Sequence, residues 1–423
     1  MKILKNVILL VVSLVIGNTM ETYSQTIQSG PPEPPVGKRW VINPDFSDEF
    51  NGTELDTAKW YDHHPKWIGR VPGLFLPSQV SVSGGYLQIR GEKMKKDTVI
   101  NAYGKTLTYN IAGGAVVSKN STFLGYYECR VKAAATTMST TFWFSTDGSK
   151  EGPKGCDSYG LEWDIHESVG RNGDFEGSYF ANGMHSNSHF WYTDCEGEKH
   201  DYRSSQVLFN NPEVSSKDFH VYGGWWRDTQ TASYYYDDRD PKHQKFYDKI
   251  SDKPFDRPMY MRLVCETYPF PWIELPTDEE LADTTKNVVY YDWVRGYELV
   301  DVFEAVPIQK DAEIVKIFDE NINFPQAEIE VASGDKLTIP LTYKAVTDRE
   351  IKLILTDSTG EKVSETTFTA YAGYANLKFV LDQLLKVGDH YTLTGQLFAT
   401  NDKNDENIDV STLNIMVVNQ LLE

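Results

Sequence analysis

Little in this chain would tie it to a membrane or to nucleic acid. After its first residues no run approaches the roughly eighteen apolar residues that a spanning helix needs. Basic residues are the minority: 41 Lys and Arg stand against 61 Asp and Glu, for a net charge of -20. Nucleic acid and anionic lipid are therefore excluded as partners. Cysteine is scarce, with four in 423 residues, too few to form the scaffold. Tryptophan is missing from the last 130 residues, although all ten lie between Trp40 and Trp293. This asymmetry divides the chain into two chemically different regions.

The N-terminus, MKILKNVILLVVSLVIGNTMETYSQ, sets Lys2 and Lys5 ahead of an apolar run from Val7 to Ile16 and then turns polar. That is the pattern of a secretory signal peptide, here residues 1–25. The run is short for an anchor, and no cysteine near its end accepts a lipid. An uncleaved anchor is the alternative, because no small-x-small cleavage site stands out. The expected product is secreted or periplasmic, monomeric and without a membrane span.

A Pro-rich leader at 26–37 opens onto a long series of short alternating segments, among them VSVSGGYLQIR, GYYECRVKAA, TTFWFST, FHVYGGWWRD and VVYYDWVRGYEL. Gly, Asn and Asp clusters separate them, as in an all-β sandwich. This pattern predicts one large domain over 38–302. From 303 to 423 the strands change character, as in DKLTIPLTY, EIKLILTD and HYTLTGQLFAT, and predict a smaller immunoglobulin-like β-sandwich.

One stretch concentrates acid where apolar residues would be expected. LEWDIHESVG places Glu162, Asp164 and Glu167 among Leu161, Trp163 and Ile165. On a regular strand Glu162 and Asp164 share a face, whereas Glu167 would point the other way. A single extra residue in a β-bulge brings all three to one side. Two carboxyl groups about 5 Å apart can hydrolyse a glycosidic bond with retention, one as nucleophile and one as acid. An intervening Asp keeps the two glutamates from titrating alike. A solvated acidic face is the alternative, but the surrounding aromatics favour a cleft.

LEWDIHE resembles the E-x-D-x-x-E signature of glycoside hydrolase family 16. FSDEFNGTELDTAKW, GAVVSKNSTFLGYYECRVKAAATTMSTTFWFS and VVYYDWVRGYEL resemble further segments of that family in the same order, over about residues 38 to 300. The resemblance implies a concave β-jelly-roll holding an extended polysaccharide, with retaining endo-hydrolysis. It implies Glu162 as nucleophile, Asp164 as its assistant and Glu167 as general acid/base, with no cofactor for catalysis. MHSNSHFWY and the segment from Cys265 to Glu298 look most like β-agarases and porphyranases, which cut red-algal galactans. The family also implies a structural Ca²⁺ on the convex face, with Asp292 as side-chain ligand and backbone oxygens near Glu49 and Gly85; an ordinary surface Asp is the equal alternative.

Sugars offer apolar faces for stacking and hydroxyls for fixed polar partners. Trp143 and Trp67 are candidate platforms, with core packing the alternative for Trp143. His185 and His189, four apart, lack a third zinc-type ligand and suit hydrogen bonding to substrate or carboxylate better than metal. Glu266 could accept a sugar hydroxyl or form an internal salt bridge. Lys66, Arg70 and Arg171 could meet a sulfate or merely solvate loops. Cys156 and Cys195 bracket the acid strand and the MHSNSHF segment. If these run antiparallel, a disulfide could join their outer ends; otherwise these cysteines are free thiols. Cys129 and Cys265 sit in strand-like runs as buried thiols.

The chain charge favours neutral agarose as substrate over sulfated porphyran, the close alternative, or carrageenan and furcellaran. A non-catalytic galactan-binding protein is the reading from another class, although both glutamates are retained. The C-terminal domain reads as a structural or spacer sandwich; carbohydrate binding is the alternative, with Tyr371 and Tyr374 a thin substitute for a tryptophan platform.

Overall fold

The computed structural model describes residues 29–306, 319–334, 336–381, 385–400 and 406–419. The expected signal peptide and the first residues of the leader lie outside the described residues. The architecture is all-β, with two large sheets packed face to face and a smaller sandwich behind them.

The cleft sheet runs in the order Lys199–Arg203, Asn182–Thr193, Ser158–Val169, Ser139–Ser145, Tyr260–Cys265, Lys105–Ser118. The outer sheet includes Thr231–Tyr236, His220–Trp226, Gly125–Lys132, Val288–Asp301 and Lys38–Asp48. Alternation explains the pairing. Leu161, Trp163 and Ile165 point inward and meet Phe142, Phe144, Tyr127 and Trp226, all essentially inaccessible to solvent. Trp163 fills the space between the sheets and donates its indole N–H to the Tyr234 hydroxyl at 2.9 Å. Gly224 leaves room for it, since a Cβ there would come within 2.7 Å of the indole. Among the described residues no helix is long and apolar enough to cross a membrane.

The second domain pairs a five-stranded sheet, Glu328–Ala332, Asn407–Val418, His390–Ala399, Arg349–Asp357 and Lys362–Ala370, with a layer containing Leu337–Ala345 and Gly373–Leu381. Its core is aliphatic, with Leu337, Ile339, Leu341, Leu353 and Leu393 at its centre. The boundary expected near residue 303 separates two cores, but not two sheets. Gly373–Leu381 adds antiparallel to Lys38–Asp48, with Arg39 opposite Ala375 and Trp40 opposite Tyr374, so the outer sheet continues into the second domain. Gly373 has φ +130°, and a Cβ there would lie 2.0 Å from the Trp40 carbonyl, so the close approach requires glycine.

The second domain is packed onto the first through this seam. Arg39, buried at the seam, donates to the carbonyls of Ala372 and Glu304 and lies over the Tyr371 ring. Tyr374 packs beside Trp40. Both tyrosines serve the junction rather than a sugar platform. The described part of the leader is equally engaged. Gly30 N–H donates to Glu128, the Pro32 carbonyl accepts from the Trp40 indole, and Asn376 donates to Glu33 and Pro34.

Candidate active site

Strand Ser158–Val169 carries the acids, and its register slips where the sequence demands it. Asp164 faces Trp143, but the next partner pair on that side is His166 with Phe142. On the other side Asp164 faces Asn187 and Glu167 faces His185. Ile165 is the extra residue of the bulge, and it turns Glu167 to the cleft face with Glu162 and Asp164. All three line one cavity with Trp67, Arg70, Thr141, Trp143, Glu266, Tyr268 and Phe270.

The environments of the acids differ as a hydrolase requires. Burial and the negative charges of Glu162 and Glu167 push the Asp164 carboxyl well above its ordinary range. Burial also raises Glu167. The Tyr268 hydroxyl, donating to its Oε1 at 2.7 Å, pulls the other way, and the charge on Glu162 adds to the rise. Glu167 is thus suited to hold a proton for a leaving group.

At one end of the cavity, Arg70 Nε lies 3.0 Å from Glu266 Oε2, with its guanidinium carbon 5.0 to 5.9 Å from the ring centres of Phe270, Trp67 and Tyr268. Burial pushes Glu266 up to about 7, an effect that Arg70 offsets in part. Trp67 and Trp143 meet edge to face, with ring centroids 6.4 Å apart. Both expected platforms therefore sit at the cleft, partly exposed. On the far side His189 Nε2 approaches Asp164 Oδ2 at 3.4 Å and Glu162 Oε1 at 3.8 Å.

Other candidates fall elsewhere. His185 is not among the residues that line the cavity: it is buried against Phe180, and its Nε2 lies 3.0 Å from the Asn182 carbonyl. The short 3-10 segment Glu176–Ala181 supplies that apolar neighbour and captures the ring. Arg171 is spent on Glu274 and Glu280, and Lys66 on Asp147. Cys156 and Cys195 are joined, with Cα atoms 5.0 Å apart, and Cys129 and Cys265 are buried thiols.

The calcium set fits poorly. Asp292, its one carboxylate side-chain ligand, has Oδ2 2.6 Å from Arg130 Nη1, so its charge is already matched by a cation that would repel a second one. Among the described residues the group of three His, Cys, Asp or Glu side chains near enough to share a metal is Glu162, Asp164 and His189, all at the cleft.

Sequence reasoning passed over Tyr268, although it lies in the same aromatic segment as Glu266. It also missed Arg262, whose Nε lies 3.0 Å from His64 Nε2 and whose guanidinium backs the Trp143 ring at 4.9 Å. Burial lowers that guanidinium to about 10 and His64 to about 4.

Two carboxyl groups on one cleft face, one with its proton affinity raised by burial, with aromatic walls and a jelly-roll beneath, define a glycoside hydrolase. Residues 40–299 match the β-porphyranase A–D GH16 domain, and residues 322–410 match the porphyranase-associated domain. The chain belongs to glycoside hydrolase family 16, in the group of the porphyranase A–D domain, and is an endo-acting hydrolase of red-algal galactans. It is 60% identical over 401 residues to β-porphyranase D of Zobellia galactanivorans, covering 93% of this chain and 94% of that one. β-Porphyranase B of Phocaeicola plebeius is 41% identical, over 64% of this chain and 89% of that one. The crystal structure of a β-porphyranase from the human gut bacterium Bacteroides plebeius superposes with a TM-score of 0.59 at 39% identity, covering 64% of this chain and 95% of that one.

Proposed function

We propose that the protein is an exported, monomeric β-porphyranase that cleaves β-1,4 linkages within porphyran and retains anomeric configuration. The observation that carries this reading is the 60% identity to β-porphyranase D, which runs through both domains. It displaces agarose, which net charge alone had favoured. Salt screens a long-range field within about 10 Å, so local contacts decide.

Arg70 supports the choice. Its side chain is 40% exposed at the cleft, its planar face is held by aromatic rings, and Glu266 is its acidic partner. A sulfate ester reaching Arg70 would compete with the Glu266 carboxylate, which can take a proton near neutrality and release the guanidinium.

Chemistry follows from the three acids. Glu162 attacks the anomeric carbon as Glu167 gives its proton to the departing oxygen. Water then enters with Glu167 as base and frees Glu162. Asp164, neutral beside Glu162, orients the nucleophile through hydrogen bonding. The test is product analysis on purified agarose, porphyran and κ-carrageenan. Sulfated oligosaccharides from porphyran, lost in Arg70→Ala, are expected. Neutral even-numbered oligosaccharides from agarose, with porphyran untouched, would overturn the reading in favour of a β-agarase.

A further inference from the structure

The scheme above leaves the edge strand Lys199–Arg203 without a task. It pairs with Asn182–Thr193, setting Arg203 opposite His189. Asp201 Oδ1 lies 2.8 Å from His189 Nδ1, and its Oδ2 accepts from Arg203 Nε at 2.7 Å. Asp201 already accepts from Arg203 and serves as acceptor here too, so Nδ1 carries the hydrogen of that contact. The ring is stacked on Trp191, with centroids 5.0 Å apart and planes 14° from parallel, which limits its freedom to turn. Nε2 is then the one ring nitrogen free to gain or lose a proton, and it faces Asp164 and Glu162. Asp164 is 3% exposed, and its Oδ2 makes no hydrogen bond among the described residues. A buried carboxyl oxygen in that position calls for a hydrogen-bond partner.

We propose that Asp201, steadied by Arg203, is a positioning residue that makes His189 Nε2 the proton acceptor for Asp164 during each turnover. When Glu162 forms its bond to the anomeric carbon, the bond to the leaving oxygen breaks and that oxygen takes the Glu167 proton. Glu162 passes from carboxylate to neutral ester. The charge that favoured a protonated Asp164 is then gone. Its proton moves from Oδ2 to Nε2, and the imidazolium rests against the Asp201 carboxylate. Asp164, now an anion, faces the positive charge that develops as the ester is hydrolysed. When Glu162 is released as a carboxylate the proton returns. Nothing enters or leaves the set of three groups.

This inference rests on the roles of the three acids and not on which galactan is cut. Its test combines nitrogen-15 NMR of histidine-labelled protein with kinetics of Asp201→Leu and Asp201→Asn on both porphyran and agarose. In the native protein His189 should be protonated at Nδ1, and Asp201→Leu should move that hydrogen to Nε2. For Asp201→Leu, kcat should fall about tenfold or more with KM within about twofold, in the range of a proton-transfer contribution. Asp201→Asn keeps an acceptor oxygen and should recover part of the loss. A native His189 protonated at Nε2 alone would overturn the proposal whether or not the variants fold. A folded Asp201→Leu with native kcat would do the same. If the native enzyme cuts agarose and not porphyran, the porphyranase reading fails while both readouts still decide this one.

Discussion

The two sandwiches handle charge in opposite ways. Across the cleft sheet Glu162, Asp164, Glu167 and Glu266 share one cavity with Arg70, so acids outnumber the cation and burial keeps protons on some of them. In the C-terminal sandwich the core is aliphatic, and Glu320 is met by Arg349 at 2.9 Å on both oxygens. Paired charge at a domain's edge costs little and serves packing. Crowded like charge is destabilising, and it persists in the first sandwich because the reaction needs carboxyl groups in different protonation states. The absence of tryptophan after Trp293 follows the same division: the first sandwich fills its core with large rings and sets Trp67 and Trp143 at the cleft.

The sharpest way to break this contrast is to remove the crowding. Glu162→Ala and Glu167→Ala should each lower kcat by at least about a thousandfold. The melting temperature of Glu167→Ala should hold or rise, since a desolvated carboxyl beside Glu162 is lost. Azide should rescue Glu162→Ala as a substitute nucleophile on the opposite face. Rescue of neither variant, with folding intact, would undo the assignment.

Next in size is the disulfide that joins the paired ends of strands Ser158–Val169 and Asn182–Thr193. Its loop spans 39 residues, and a Cys156→Ser, Cys195→Ser double variant should lose about 2–4 kcal/mol of stability in denaturant titrations. Peptide mapping without reductant should recover the two cysteines in one linked fragment.

The seam between the sandwiches comes third. Arg39→Ala removes a buried cation from two carbonyls and should cost about 1.5–3 kcal/mol, read as a lower melting temperature with unchanged KM. Melting of the native chain should show one transition. Two separate transitions would mean that the shared sheet does not couple the cores.

A smaller effect depends on pH. Glu266 is raised from 4.5 to about 7 by burial, so the folded state holds its proton more tightly than the unfolded chain. Its contribution to stability is complete below the lower value and is lost as pH rises through the higher one. Glu266→Gln should therefore gain in melting temperature relative to the native protein between pH about 5 and about 8. The smallest expected effect is that of chelation. With Asp292 paired to Arg130, EDTA should leave the melting temperature unchanged, and a clear drop would restore the calcium site.

What the sequence determined by itself is local and periodic. A two-residue period reports which face a side chain takes, and the missed beat between Asp164 and Glu167 gave away the bulge, the cleft and the acid stack together. Trp67, Arg70, Trp143, Glu266 and His189 were legible for a related reason: aromatic or charged residues in apolar strands and loops need a purpose. Tertiary structure alone decided which partners complete them. Tyr268 reaches Glu167 across 101 positions, and Asp201 meets His189 from a neighbouring strand whose register no local pattern announces. His185 had the right spacing, yet a turn packed against it took the ring away. The union of the two domains was hidden for the same reason. Backbone pairing at a sheet edge is carried by N–H and C=O groups that every residue possesses, so the sequence has no letter for it until the chain folds.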